Sequence, residues 1–366
     1  MGRALDKLSI AGYKTIQSLS DFELKKLNVL IGGNGAGKSN FIEVFRLLRA
    51  MVDQKLGKFA LDRGSADGFF FNGPKQTPEI KMHFTFGDNE YRFTLTTSAD
   101  ERFLIAEEQQ KYIKGGWRTI ASTEFESALQ QRKTEAGIEY SKGVGYYVYN
   151  AVSNWMVYHF HDTSATVPMR KYEIVEDNAR LRADASNIAP FLLKLKSESP
   201  FYDEEYERIV DAIRLVIPFF DDFLLEPRQF GEAEKVRLTW TQKGSDYPMQ
   251  PYHLSDGSIR FICLATALLQ PALPSTILID EPELGLHPYA IEVLAELIRE
   301  ASERTQVVIS TQSPALVDCF APDEVIVVNR KQGASTFERL SEDDLSQWLE
   351  DYSLGELWCK NVIVGA

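Results

Sequence analysis

The run LNVLIGGNGAGKSNFIEVFRLLRAM at residues 27–51 constrains what this chain can fold into more than any other stretch. Residues 27–31 form a short apolar segment that needs burial. Residues 32–39 are too rich in glycine to extend it. From Asn40 onward, Phe41, Val44, Phe45, Leu48 and Met51 recur at threes and fours, the spacing of one helix face. A glycine loop therefore joins a buried strand to a helix. Gly32, Gly33, Asn34, Gly35, Ala36, Gly37, Lys38 and Ser39 fit the pattern G-x-x-x-x-G-K-[ST]. Such glycines let backbone N–H groups turn inward around phosphates, and the helix N-terminus adds its dipole. Lys38 offers a point charge to β- and γ-phosphates, and the Ser39 hydroxyl suits Mg²⁺. Asn40 is counted with the loop as nucleotide-binding. Chance would produce the pattern in a chain this long roughly 1% of the time, and the strand–loop–helix context lowers that further.

A second segment completes the chemistry. TILIDE at residues 276–281 is an apolar run tipped by two acids. A strand buried on both faces brings Asp280 to its carboxyl end, where α/β sheets gather ligands. Asp280 is expected to hold Mg²⁺, and Glu281 to orient and deprotonate the attacking water. The two motifs together predict an ATP-binding and hydrolysing protein with ATP and Mg²⁺ as its cofactors.

The rest of the chain alternates strands and helices, which predicts an α/β fold with a mostly parallel sheet covered on both faces. Residues 79–97 read as a hairpin, with more strand expected at 101–120, 144–161 and 234–241. Helical spacing returns at 204–217. Ser255 should cap a helix reaching about Gln270, and Pro288 should open another. The expected division is 1–60 and 246–335 for the two parts of the ATPase core, 61–165 for an inserted β-rich subdomain, 166–245 for a helical lobe, and 336–366 for a tail.

The chain has 366 residues and a formal net charge of −13. That charge argues against a protein dedicated to coating nucleic acid, but permits a local basic groove. Lys25, Lys26, Arg46, Arg49, Lys55, Lys58 and Arg63 crowd the first part of the chain. The segment nearest the N-terminus lacks the apolar core of a signal sequence, and no stretch reaches the roughly 18 apolar residues of a membrane span. Three scattered cysteines fit a reducing compartment. The cytoplasm is the expected location, with no membrane partner.

Leu254-Ser255-Asp256-Gly257-Ser258, just upstream of the acid-tipped strand, resembles the signature loop of ABC-type ATPases. Residues 281–288 (EPELGLHP) and 10–16 (IAGYKTI) resemble the RecF/OLD-related AAA-family ATPases, SMC-like heads without a long coiled coil. The resemblance covers 5–50 and 250–330 strongly. It implies a P-loop ABC-type head that dimerises head to tail around ATP. Ser255 and Gly257 would then contact the nucleotide of the opposite subunit, and Tyr13 and Lys14 would lie near it. The family usually ends its switch strand in a histidine, whereas this chain has Gln312, which donates a hydrogen bond but cannot carry charge. Slow hydrolysis is expected, with Glu281 and Gln312 as catalytic residues. The family's Gln-loop is not obvious; His161, Asp162 and Gln76 compete for its place.

The stretch after Ser313 is too short for the Toprim nuclease that OLD proteins append. A sensor or scaffold is therefore expected, forming a homodimer or higher homo-oligomer and governing a separate effector such as a nuclease or toxin, as in phage defence. The alternative is a RecF-like protein closing on double-stranded DNA in repair or recombination.

Overall fold

A computed structural model of the protein describes residues 3–137, 142–164, 166–198 and 201–363. Residue 165, where one segment boundary was expected, and the end of the tail at 364–366 lie outside them. The core is a six-stranded sheet in the order Ala334–Arg339, Val325–Lys331, Leu27–Ile31, Gln306–Ser310, Thr276–Asp280, Trp155–Tyr158. Every pair is parallel except the hairpin of the first two strands. Leu27–Ile31 and Gln306–Ser310 are buried at every position, as strands covered on both faces must be.

Side chains alternate across a strand, and this alternation divides the interior in two. Val29, Ile31, Ile277, Ile279, Val307 and Ile309 point into one core with the helices Asp256–Leu269 and Pro288–Arg304. Leu30, Leu278, Val308, Ile326 and Val328 point into the other. There they meet Phe41, Val44, Phe45, Leu48 and Met51 of the helix Lys38–Val52. Full burial of such side chains stabilises by about 1.5–3 kcal/mol each, so the helix is locked to the sheet by the face its sequence spacing announced.

The second core is closed by an antiparallel six-stranded sheet in the order Ile16–Glu23, Lys7–Tyr13, Ile80–Phe86, Asn89–Thr97, Phe103–Tyr112, Arg118–Ala121. The hairpin expected at 79–97 is its centre, with Phe84 opposite Tyr91. Beyond it, the helices Ile188–Ser197 and Asp203–Val216 and two three-stranded sheets form a smaller lobe.

Three readings of the sequence need correction. Val144–Ser153 is a helix. Its tyrosines and valines favour strands, but Val148, Ala151 and Val152 are buried at helical spacing. Trp155–Tyr158, expected within the β-rich insertion, is an edge strand of the core sheet beside Thr276–Asp280. Residues 234–241 are not one strand; Ala233–Val236 and Trp240–Gln242 belong to different small sheets.

Candidate nucleotide site

The central strand Leu27–Ile31 delivers the glycine loop to the carboxyl edge of the core sheet. Gly32 has φ 149°, and a Cβ there would stand 2.1 Å from the Val328 carbonyl oxygen. Gly37 has φ 120°, and its Cβ would meet the Ser335 hydroxyl at 2.1 Å. Both positions exclude any side chain. Ser335, in the edge hairpin, donates from Oγ to Ala36 O at 2.5 Å, and its Oγ lies 2.7 Å from the Thr15 hydroxyl, which can donate to it. Nothing in the sequence marked this serine as the strut of the loop, since it comes from the far end of the chain.

Lys38 is buried, and its Nζ donates to Gly32 O at 2.6 Å and Gly33 O at 3.3 Å. Burial pushes its pKa down, while Glu281, Asp280 and Glu283 pull it back up. The two motifs therefore face each other across the sheet edge. Gly33, Asn34, Gly35 and Ser39 are exposed, and the Ser39 hydroxyl has no hydrogen-bond partner among the described residues. Asn40 turns its amide to Thr15 Oγ1 at 2.8 Å, bracing the loop against the turn at 14–15.

Asp280 ends its strand opposite Ser310, whose hydroxyl donates to Asp280 Oδ1. Glu281 takes a left-handed backbone, φ 47°, and its N–H donates to Ser310 O at 2.8 Å. Gln312 Nε2 donates to Glu281 Oε1, joining the two residues expected to be catalytic. Glu283, which sequence reasoning passed over, accepts from Thr311 Oγ1 at 2.6 Å and Gln312 N at 3.0 Å. Burial pushes its carboxyl up, against those hydrogen bonds.

Among the Gln-loop candidates, residues 159–162 leave the strand beside Thr276–Asp280, and His161 Nε2 lies 3.0 Å from Asp280 O. The His159 ring sits 4.7 Å from that of His161, and burial lowers its pKa. Asp162 instead accepts from Ser164 N at 3.0 Å. Gln76 is on the loop that packs beside Gly12, outside the core sheet.

Tyr13 is fully buried, with its hydroxyl on Glu43 Oε2 at 3.2 Å. Burial raises its pKa well above the usual tyrosine value, and the Glu43 charge adds to the effect. Lys14 also turns to Glu43, with its Nζ 4.7 Å from the centre of the Phe69 ring. Thr15, the next residue, is the one that touches the phosphate loop.

Ser255 caps its helix, accepting from Ser258 N at 3.1 Å. Gly257 packs so closely on Gly285 O that a Cβ would come within 2.4 Å. Arg260, buried one turn on, donates to Phe160 O at 2.9 Å, His161 O at 3.1 Å and Leu284 O. It ties the helix Asp256–Leu269 to both segments flanking Asp280. Among the described residues, no hydrogen bond or ion pair joins Ser255 or Gly257 to the phosphate loop of their own chain.

Three cations of the basic cluster noted in the sequence are paired within the chain. Lys25 pairs with Asp323, Arg49 with Asp53 and Arg63 with Glu43. Burial lowers the pKa of Arg46, and the Asp280 charge acts against that shift.

The family described as "AAA domain, putative AbiEii toxin, Type IV TA system" matches residues 27–318. This chain belongs to that AAA-domain family. Its fold is the mixed α/β fold of a P-loop head domain. Over 96 residues the chain is 31% identical to the phosphate import ATP-binding protein PstB 2 of Mycobacterium tuberculosis. The same figures hold for the Mycobacterium bovis protein of that name. The match covers 25% of this chain, and the chain spans 34% of the length of those relatives.

The fold is similar to that of the Smc head bound to the C-winged helix domain of ScpA. That comparison gives a TM-score of 0.55 at 14% identity and covers 94% of this chain and 99% of that one. It is also similar to an Smc head with an extended coiled coil, bound to the C-terminal domain of ScpA derived from Pyrococcus furiosus. There the TM-score is 0.55 at 14% identity, over 95% and 99% of the two chains. No helix among the described residues is long and apolar enough to cross a membrane.

Proposed function

We propose that the protein binds ATP through residues 32–40, hydrolyses it slowly, and uses head-to-tail closure of two copies to govern a separate effector. The observation that carries this reading is that Leu27–Ile31, which leads into the loop with Lys38, and Thr276–Asp280 flank Gln306–Ser310 in parallel, with Gln312 bonded to Glu281. The donor set fits Mg²⁺, a hard cation that prefers oxygen. It comprises the exposed Ser39 hydroxyl and the Asp280 carboxylate. When bound, Mg²⁺ would neutralise charge on the β- and γ-phosphates. Lys38 would hold the same phosphates. Glu281 would take the proton of the attacking water, while Gln312 fixes that carboxylate and remains uncharged throughout.

Among the described residues, the exposed Ser255 cap and Gly257 have no partner at their own phosphate loop, which supports their completing the site of a second copy. Gly285 and Arg260 then link that contact back to the acids. The similar Smc heads are bound to a second protein, ScpA, which supports an effector on a separate chain. The test is Glu281→Gln with ATP and Mg²⁺, followed by light scattering after gel filtration. A doubled mass that disappears with ADP is expected. A monomer that still binds ATP would overturn the proposal.

A further inference from the structure

A cleft of about 1180 Å³ opens away from the phosphate loop, between the strand turns near Asn89 and Gly115 and the helix Val144–Ser153. It shares no residue with the site described above. The chain as a whole is strongly acidic, yet this cleft is lined by five cations against two carboxylates. The Arg118 side chain is 65% exposed and reaches Glu135 at 3.3 Å. Lys142 Nζ lies 5.3 Å from the centre of the Tyr146 ring. Arg180 makes no ion pair among the described residues.

Two lining tyrosines, Tyr112 and Tyr147, are each 44% exposed. Gln110 is 3% exposed, and its Nε2 donates to both Glu135 oxygens at 3.0 Å. Its Oε1 is buried with no hydrogen-bond partner among the described residues.

Phosphate explains the cations, and a planar base explains the open rings. An acidic peptide would use the cations but not the rings. Bases stack on aromatic side chains without regard to sequence, while cations track the backbone. The volume also exceeds the ~300–1,000 Å³ of ordinary small-molecule pockets, which leaves room for more than one nucleotide. We infer that this cleft binds nucleotide units, free or within a single strand, through Tyr112 and Tyr147 on the bases and Arg118, Lys142 and Arg180 on the phosphates. The inference does not depend on the ATPase cycle.

The test uses the full chain carrying Lys38→Ala, so that the phosphate loop does not contribute. Fluorescence anisotropy with a labelled dT12 strand is expected to show saturable binding that weakens with salt. Three phosphate contacts give a log–log slope of about −2. Tyr112→Ala with Tyr147→Ala should weaken binding at least tenfold, and the two Tyr→Phe changes should preserve it. Replacing Arg118, Lys142 and Arg180 by Ala should flatten the salt slope. Displacement by unlabelled dT12 alone assigns a strand, and displacement by a mononucleotide as well assigns a free nucleotide. Absence of binding, unchanged affinity in the tyrosine variant, or equal displacement by polyaspartate would overturn the inference.

Discussion

If Gln312 acts by holding Glu281, the two side chains are one device, and removing either should remove most of what both provide. Gln312 Nε2 donates to Glu281 Oε1, a hydrogen bond with an ionised acceptor. Such bonds contribute about 1.5–3 kcal/mol when shielded. This one is exposed to solvent, so screening reduces the figure to about 1–2 kcal/mol. At 1.36 kcal/mol per tenfold in rate, Gln312→Ala should slow single-turnover ATP hydrolysis about 5- to 30-fold. ATP affinity should change little, because Lys38 and the glycine loop are untouched.

The decisive measurement is a double-mutant cycle with Glu281→Gln, read by single-turnover phosphate release at saturating ATP. With no carboxylate left to hold, Gln312→Ala should cost almost nothing further. Gln312→His should match or exceed the wild-type rate, since an imidazole can donate the same hydrogen bond and also exchange a proton. If Gln312→Ala slows the Glu281→Gln protein by the same factor as the wild type, the two residues act independently. The proposed device would then be wrong.

Two further outcomes follow from the geometry. Arg260→Met should lower stability by about 2–4 kcal/mol, because three backbone carbonyls lose their donor; an unchanged urea midpoint would refute this. At Glu90, burial pushes the carboxyl up, but hydrogen bonds from Lys111 and His83 outweigh it and leave the pKa lowered. A depressed carboxyl stabilises the fold above its unfolded pKa and loses that contribution as pH falls through the folded one. Wild type should therefore lose more stability than Glu90→Gln on acidification below about pH 4.3, measured by chemical denaturation at a series of pH values.

The helix Val144–Ser153 shows where local reading failed. Tyrosine and valine favour strands when nothing else decides, and here packing against Lys38–Val52 and the antiparallel sheet decided. For Tyr13, only the placement of Glu43 on the helix Lys38–Val52 shows where the hydroxyl goes. Glu283, Ser335 and Arg260 left no local signal, because each acts on groups that are distant in sequence.

The strand–loop–helix at residues 27–52, the acid-tipped strand Thr276–Asp280 and the capped helix after Ser255 are legible in the order of amino acids alone. Each is written in nearest-neighbour terms: glycines where no Cβ fits, apolar residues at one period, and a hydroxyl at a helix start. The tertiary structure decided which strands became neighbours. Leu27–Ile31 pairs with Gln306–Ser310 and Val325–Lys331, and Trp155–Tyr158 crosses from the middle of the chain to the edge beside Asp280. Parallel pairing requires partners distant along the chain, and buried apolar strands of similar length are interchangeable until packing on both faces selects one order. That order brings Lys38, Asp280, Glu281 and Gln312 to one edge of one sheet.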